Sequence, residues 1–263
     1  MRDLLMKTLE FTTNPFGGVL TKTDLLPDSV DIFSKLLRNS LDLWRNDGFL
    51  VAWIEIPLTK VQLIPIAAEY GFVFHHCRQD YTMMTYQISN EAFVPAFSSH
   101  YVGAGGVVLS DDGELLVVSE KHQTQKPEKP KFKLPGGTLN EGEHLSNAVE
   151  REVFEETGID AQFESLVCFR HWHNYRYGKS DIYFVCRLKP QSKKITIQEE
   201  EISECRWMPI DEYLNAENVS EFNKEIVKYT ITSPGLAHAA IDGYADPERY
   251  EFFMPSHTEF DNS

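Results

Sequence analysis

Three carboxylates stand at helical spacing in the middle of the chain. Glu152, Glu155 and Glu156 occupy positions i, i+3 and i+4, which on an α-helix gathers them on one face. Like charges so placed destabilise a helix by about 0.2–0.5 kcal/mol per pair, so the cluster calls for a counter-charge. A hard divalent cation supplies one: Mg²⁺ takes oxygen ligands, keeps several waters and bridges a carboxylate site to substrate phosphates. Arg151, four residues before Glu155, supplies another. Taken alone, the same run also reads as a solvated acidic face.

The elements that must position these groups are legible around them. Leu145, Ala148, Val149 and Val153 recur at helical spacing, so one stripe of the helix faces a core. Gly158 follows the last helical position, where a left-handed cap is expected. Upstream, Leu134-Pro135 ends an extended segment, and Gly136-Gly137 lets the backbone turn and approach a ligand closely.

The cluster lies within a longer pattern. Residues 137–159 match G-x5-E-x7-R-E-U-x-E-E-x-G-U, U being a bulky aliphatic residue, at Gly137, Glu143, Arg151, Glu152, Val153, Glu155, Glu156, Gly158 and Ile159. This resembles the Nudix box of the Nudix hydrolases. The resemblance covers roughly residues 101–230. Both halves together resemble two-domain Nudix proteins that include plant ADP-ribose/NADH pyrophosphatases and the animal antisense fibroblast-growth-factor protein. The stretches that carry it are residues 71–76, 133–137, 169–170, 179–188 and 207–213.

The resemblance implies an α/β fold: a Nudix α/β/α sandwich around a mixed sheet at residues 96–230, preceded by a small α/β pre-Nudix domain at 1–95 and followed by an acidic, aromatic tail at 231–263. In such a box the Gly136 carbonyl, Glu152 and Glu156 would ligate Mg²⁺ or Mn²⁺. Glu155 would serve a second ion or its water, and Arg151 would orient the glutamates. Glu143 would be a structural or outer-shell carboxylate. Glu201 sits where many Nudix enzymes supply an extra ligand or base, with Glu199 and Glu200 as rivals. The implied activity is metal-dependent hydrolysis of the pyrophosphate bond of a nucleoside diphosphate linked to another moiety, ADP-ribose or NADH, releasing AMP. A dinucleoside polyphosphate or CoA hydrolase, and a non-catalytic ADP-ribose-binding module, are the alternatives. Two positions bear on that choice. Asn174 stands where many ADP-ribose-specific members carry proline, and Tyr175 is similar to a residue of diadenosine-polyphosphate hydrolases.

Across all 263 residues the formal net charge is −15, which argues against a broad nucleic-acid or anionic-membrane surface. A phosphate substrate then needs local cations or a metal. The aromatic and cationic run at 171–179, with Arg170 just before it, offers both. It is expected to be a loop between strands at 163–170 and 181–188. There Trp172 and Tyr175 would stack on a base while Arg170, Arg176 and Lys179 reach phosphate. Phe132, before the Gly-Gly turn, is a further stacking candidate, and the Lys/Pro-rich residues 121–133 a cationic edge.

Four cysteines without C-x-x-C spacing read as reduced thiols. The amino terminus shows neither signal peptide nor membrane span, so a cytoplasmic protein is expected, with a homodimer left open. In the first half, helices are expected near 30–47 and 59–70, the second interrupted by Pro65. Strands are expected at 49–56, 72–76 and 81–88. Adjacent His75 and His76 should point to opposite faces of their strand. In the second half, strands are expected at 101–109 and 114–118, joined as a hairpin at Asp111-Asp112-Gly113. Further strands should lie at 195–197 and 202–208, and helices at 209–214 and 219–229.

Overall fold

The computed structural model describes residues 7–15, 17–121, 130–244 and 246–255. Of the cationic stretch at 121–133, residues 122–129 lie outside the described residues, as do 256–263 at the carboxyl end. The chain divides into two compact units, Met1–Ser98 and Ser99–Ser263. Among the described residues no helix is long and apolar enough to cross a membrane.

The first unit runs β1 (Phe11–Thr13), β2 (Gly18–Thr21), α1 (Val30–Asn46), β3 (Val51–Pro57), α2 (Ile64–Glu69), β4 (Val73–Cys77) and β5 (Tyr81–Gln87). The sheet order is β1-β2-β3-β5-β4. Ser29 caps α1 by accepting from the Ile32 N–H at 3.4 Å. Phe33, Leu37, Leu41 and Trp44 then bury one face of α1 against Ile54, Ile56 and Met84. Pro65 sits in the first turn of α2, where a missing N–H costs nothing, and residues 58–63 form a separate 3-10 segment before it. One expectation fails here. A bulge between Phe74 and His76 breaks the strand alternation, and the two imidazoles face each other, Nδ1 to Nδ1 at 2.7 Å.

The second unit runs β6 (His100–Val108), β7 (Glu114–Glu120), β8 (Gly136–Thr138), α3 (Leu145–Thr157), β9 (Ala161–Arg176), β10 (Lys179–Pro190), β11 (Ile202–Pro209), α4 (Ile210–Asn215), α5 (Glu221–Thr232), β12 (Ala237–His238) and β13 (Phe253–Met254). The central sheet is mixed, ordered β8-β6-β10-β9, with β10 parallel to β6 and antiparallel to β9. Strand alternation divides its side chains between two cores. Ala104, Val108, Cys186 and Leu188 join Val149 and Val153 of α3. Val107 and Val185 join Tyr213, Ile226 and Val227 of α4 and α5. Helices therefore cover both faces, the α/β/α arrangement expected.

Three local expectations are corrected. Asp111-Asp112-Gly113 does turn the chain, but β6 and β7 share only the bridge Leu109↔Leu115. Both edges of β6 are taken by β8 and β10, so β7 pairs with β11 instead. Residues 195–197 form no strand, because the Thr196 N–H bonds to the Thr157 carbonyl at 2.8 Å, packing this segment on the end of α3. The loop expected at 171–179 is strand almost throughout: β9 and β10 extend to a two-residue turn, Tyr177-Gly178, both at positive φ (51° and 71°). That geometry matches the twist of the flanking strands.

The carboxyl-terminal segment reaches the helix that carries the glutamates. No side chain at His144 caps α3. Instead the Glu251 carboxylate accepts from the Leu145 and Ser146 N–H groups at 2.8 and 3.2 Å. A carboxylate there satisfies orphan donors and meets the positive end of the helix dipole. Glu251→Ala is expected to cost about 0.5–2 kcal/mol in urea unfolding, with earlier hydrogen exchange at the first turn of α3; unchanged stability would show that the contact is idle.

Candidate active site

The site begins at the Gly136-Gly137 turn. Gly136 has φ +150°, and a Cβ there would lie 2.2 Å from the Ala104 carbonyl oxygen. Only glycine lets β8 lie this close to β6. The Gly136 N–H, which the sheet leaves over, donates to Glu156 Oε2 at 2.9 Å. A Cβ at Gly137 would meet Glu152 Oε2 at 2.4 Å. Glu152 and Glu156, one helical turn apart, thus both lie against the turn, and Glu156 is only 6% exposed.

Cations hold the carboxylates in a web. Arg151 donates from Nε to Glu143 Oε1 at 2.7 Å and from Nη2 to Glu143 Oε2 at 2.8 Å, and from Nη1 to Glu152 at 2.8 Å and Glu155 at 2.9 Å. Lys133 Nζ lies 2.6 Å from Glu120 and 3.6 Å from Glu156. Among the described residues, Arg151 is thus shared by three carboxylates and Lys133 by two. Burial pushes the Glu156 carboxyl up, against the pull of Lys133 and the Gly136 N–H. It pushes Glu152 up as well, against Arg151. Glu143 goes the other way: the Arg151 hydrogen bonds draw it down to about 2.

As the side chains stand, no three His, Cys, Asp or Glu among the described residues converge on one cation position. The oxygens point instead at Arg151 and Lys133. In chemistry the set nevertheless fits a hard divalent ion: all donors are oxygens, two carboxylates are desolvated, and the local charge is strongly negative. Glu152 and Glu155, the latter half-exposed, meet at Arg151, while Glu156 turns to the Gly136 N–H and Lys133. Glu201 is not joined to them: its side chain is exposed, and its backbone carbonyl accepts from the Lys121 N–H at 2.7 Å.

Beside the cluster opens a cleft of about 300 Å³, lined among others by Lys133, Arg170, Tyr183, Phe222 and Asn223. Arg170 pairs with the buried Asp181 at 2.7 Å, and its guanidinium lies over the rings of Trp172, Tyr183 and Phe222 at 5.1–5.5 Å. Its charge is thus partly spent on Asp181, and its planar face serves as a platform for the rings. Trp172 continues to Tyr175 at 5.1 Å, Arg176 covers Tyr175 at 4.9 Å, and Lys179 covers Tyr101 at 5.2 Å. Phe132 is corrected: it is 5% exposed, packed in the core with Met208 and Tyr213 beneath Arg206, and offers no free face to a base.

Sequence reasoning missed Phe222, whose ring is 44% exposed at the cleft, because on α5 it reads as one residue of an amphipathic helix. It missed Asp181 because a carboxylate within a strand gives no signal of its partner. The signal for Lys133 was present, in its place beside Leu134-Pro135-Gly136.

The Glu143–Arg151 pair generates a pH prediction. Its folded pKa of about 2 lies below the ordinary 4.5. Its contribution is therefore present in full above 4.5 and lost as pH falls through 2. Glu143→Gln should cost about 1–3 kcal/mol at pH 7 in urea melts, and the gap to wild type should narrow below about pH 4.5. A gap that stays constant down to about pH 3 would contradict the assignment.

The chain matches the family described as NUDIX domain over residues 99–230, and that described as Nudix hydrolase domain over residues 9–88. It is 40% identical to Nudix hydrolase 8 of Arabidopsis thaliana over 208 residues, covering 78% of this chain and 56% of that protein. It is 41% identical to Nudix hydrolase 2 of the same plant over 215 residues, 81% of this chain and 76% of that one. With human nucleoside diphosphate-linked moiety X motif 6 it shares 34% identity over 222 residues, 81% of this chain and 69% of the human protein. The chain therefore spans just over half the length of the first of these relatives. With the Gly-Gly turn, the glutamate helix and the arginine web in their places, the chain belongs to the Nudix hydrolase family.

Proposed function

We propose that the protein hydrolyses the pyrophosphate bond of a nucleoside diphosphate linked to a second moiety, with ADP-ribose or NADH as substrate and AMP as a product. One observation carries this reading: a buried carboxylate, Glu156, and a half-buried one, Glu152, pressed on the Gly136-Gly137 turn beside a cleft lined by cations and rings. A structural role would not gather desolvated like charges at such cost. The human relative's name, nucleoside diphosphate-linked moiety X motif 6, describes the same substrate class.

Glu152, Glu155, Glu156 and the Gly136 carbonyl would hold a divalent ion, Mg²⁺ or Mn²⁺, whose contribution when bound is to neutralise the diphosphate and acidify the attacking water. The chain's own groups do the rest. Arg151 fixes Glu152 and Glu155 in one orientation. The exposed rings of Trp172 and Phe222, supported by Arg170, give a base two faces to stack on. As the water oxygen bonds to phosphorus, its proton passes to a solvent-facing carboxylate, Glu155 or, after movement of its turn, Glu201. The bridging oxygen keeps the electron pair of the broken P–O bond and leaves with the second phosphate. The products are AMP and, from ADP-ribose, ribose 5-phosphate.

A Mg²⁺-dependent turnover screen over ADP-ribose, NADH, CoA and dinucleoside polyphosphates tests the reading. Glu156→Gln should lower kcat by about 100-fold or more at saturating Mg²⁺ while the protein still melts cooperatively. Trp172→Ala and Phe222→Ala should raise KM more than they lower kcat, each by about 1–3 kcal/mol in kcat/KM. No turnover of any pyrophosphate, or Glu156→Gln activity within threefold of wild type, would refute it.

A further inference from the structure

Lys133 stands where the carboxylate cluster meets the cleft. Its backbone is fixed by two hydrogen bonds to Val118, each 2.9 Å. Its side chain is held only by ion pairs at its tip, is 31% exposed, and lines the cleft that Arg170 and Phe222 also line. The ammonium lies 2.6 Å from Glu120 Oε1 and 3.6 Å from Glu156 Oε1. Glu156 Oε2 accepts from the Gly136 N–H, and Lys133 faces the other oxygen, Oε1, which has no hydrogen-bond donor among the described residues and is the more open to a divalent ion. An ammonium and a doubly charged ion cannot both sit against that oxygen, and their mutual repulsion in a half-buried site is large. A lysine, as a compact charge on a flexible four-carbon stem, can leave one anion for another without moving its backbone. An anion entering the cleft is within its sweep.

We propose that Lys133 is a movable counter-ion of this site: it pairs with Glu156 while the carboxylates lack a divalent ion, and turns into the cleft to meet a phosphate oxygen of the substrate once Glu156 binds one. The identity of the second anion rests on the hydrolytic reading above; the pairing with Glu156 does not. Lys133 is in this view a positioning residue for Glu156 in one state and a substrate ligand in the other.

The two roles move two measurements in opposite directions, which a lysine of merely structural value would not do. In the full-length chain, Lys133→Met and Lys133→Gln should tighten Mn²⁺ binding, followed by electron paramagnetic resonance of free Mn²⁺, by about 3–10-fold, because a competing charge is gone. The rise in Tm on adding Mn²⁺ should exceed that of wild type, since the variants leave Glu156 without Lys133 until the ion arrives. KM for Mg²⁺-dependent ADP-ribose hydrolysis should rise about tenfold, and AMP affinity by calorimetry should fall in parallel. Mn²⁺ affinity that is unchanged or weaker in the folded variants, or unchanged KM and AMP affinity, overturns the proposal. If both variants fail to fold, Lys133→Arg decides: a fixed planar charge should hold Glu156 more tightly and weaken Mn²⁺ binding, and unchanged affinity overturns the pairing. Wild-type protein that binds Mn²⁺ but neither hydrolyses ADP-ribose nor binds AMP would refute the hydrolytic reading and the cleft role of Lys133, while the Mn²⁺ comparison would still judge the pairing.

Discussion

The deepest hydrogen bond between the two halves of the site is the one on which the rest depends. The Gly136 N–H donates to Glu156 Oε2 at 2.9 Å, tying α3 to the strand that leads into it. It forms because Gly136 adopts a φ closed to other residues, which brings β8 against β6 and leaves this N–H facing the helix. It also fixes the depth at which α3 lies on the sheet, so that Val149 and Val153 reach the core and Glu152 reaches Gly137. A buried carboxylate without that donor and without Lys133 would be left as an unpaired charge, among the most costly features a fold can contain.

The rest of the site follows from how its clustered carboxylates are held. Burial alone would push Glu152 and Glu156 toward their neutral forms, and Arg151 and Lys133 pull them back. Burial is the larger influence on both, and the two cations oppose it. The cleft gathers local positive charge on a chain of net charge −15: Arg170 and Lys133 line it together with the rings of Tyr183 and Phe222. The carboxyl-terminal segment belongs to this arrangement too, since Glu251 closes the first turn of α3.

How much of this the sequence discloses depends on the range of the interaction. The helix stripe, the Gly158 cap at φ +69°, the Gly-Gly turn and the i, i+3, i+4 glutamates are local, and residue order encodes them directly. Arg151 against Glu155 is local in the same sense. What the sequence does not disclose is pairing at long separation: Glu251 with α3, Arg170 with Asp181 and Phe222, and β7 with β11 rather than β6. Phe132 was misleading because an aromatic beside a functional turn looks the same in sequence whether it faces the ligand or the core; Met208, Tyr213 and Arg206 settle that, and all three come from over seventy residues away. The run at 171–179 misled through composition, since its alternating rings and cations are a strand's two faces drawn out to a tight turn.

The proposed reaction has this cluster direct water to phosphorus in a diphosphate bridge. The most direct measurement is a ³¹P NMR time course of the full chain with ADP-ribose and Mg²⁺ in water half-enriched in ¹⁸O. The account predicts that the coupled diphosphate signals give way to two phosphomonoester singlets in equal amount, with isotope shift in one product only and no orthophosphate. Persistent diphosphate signals, or orthophosphate as the first product, would contradict it.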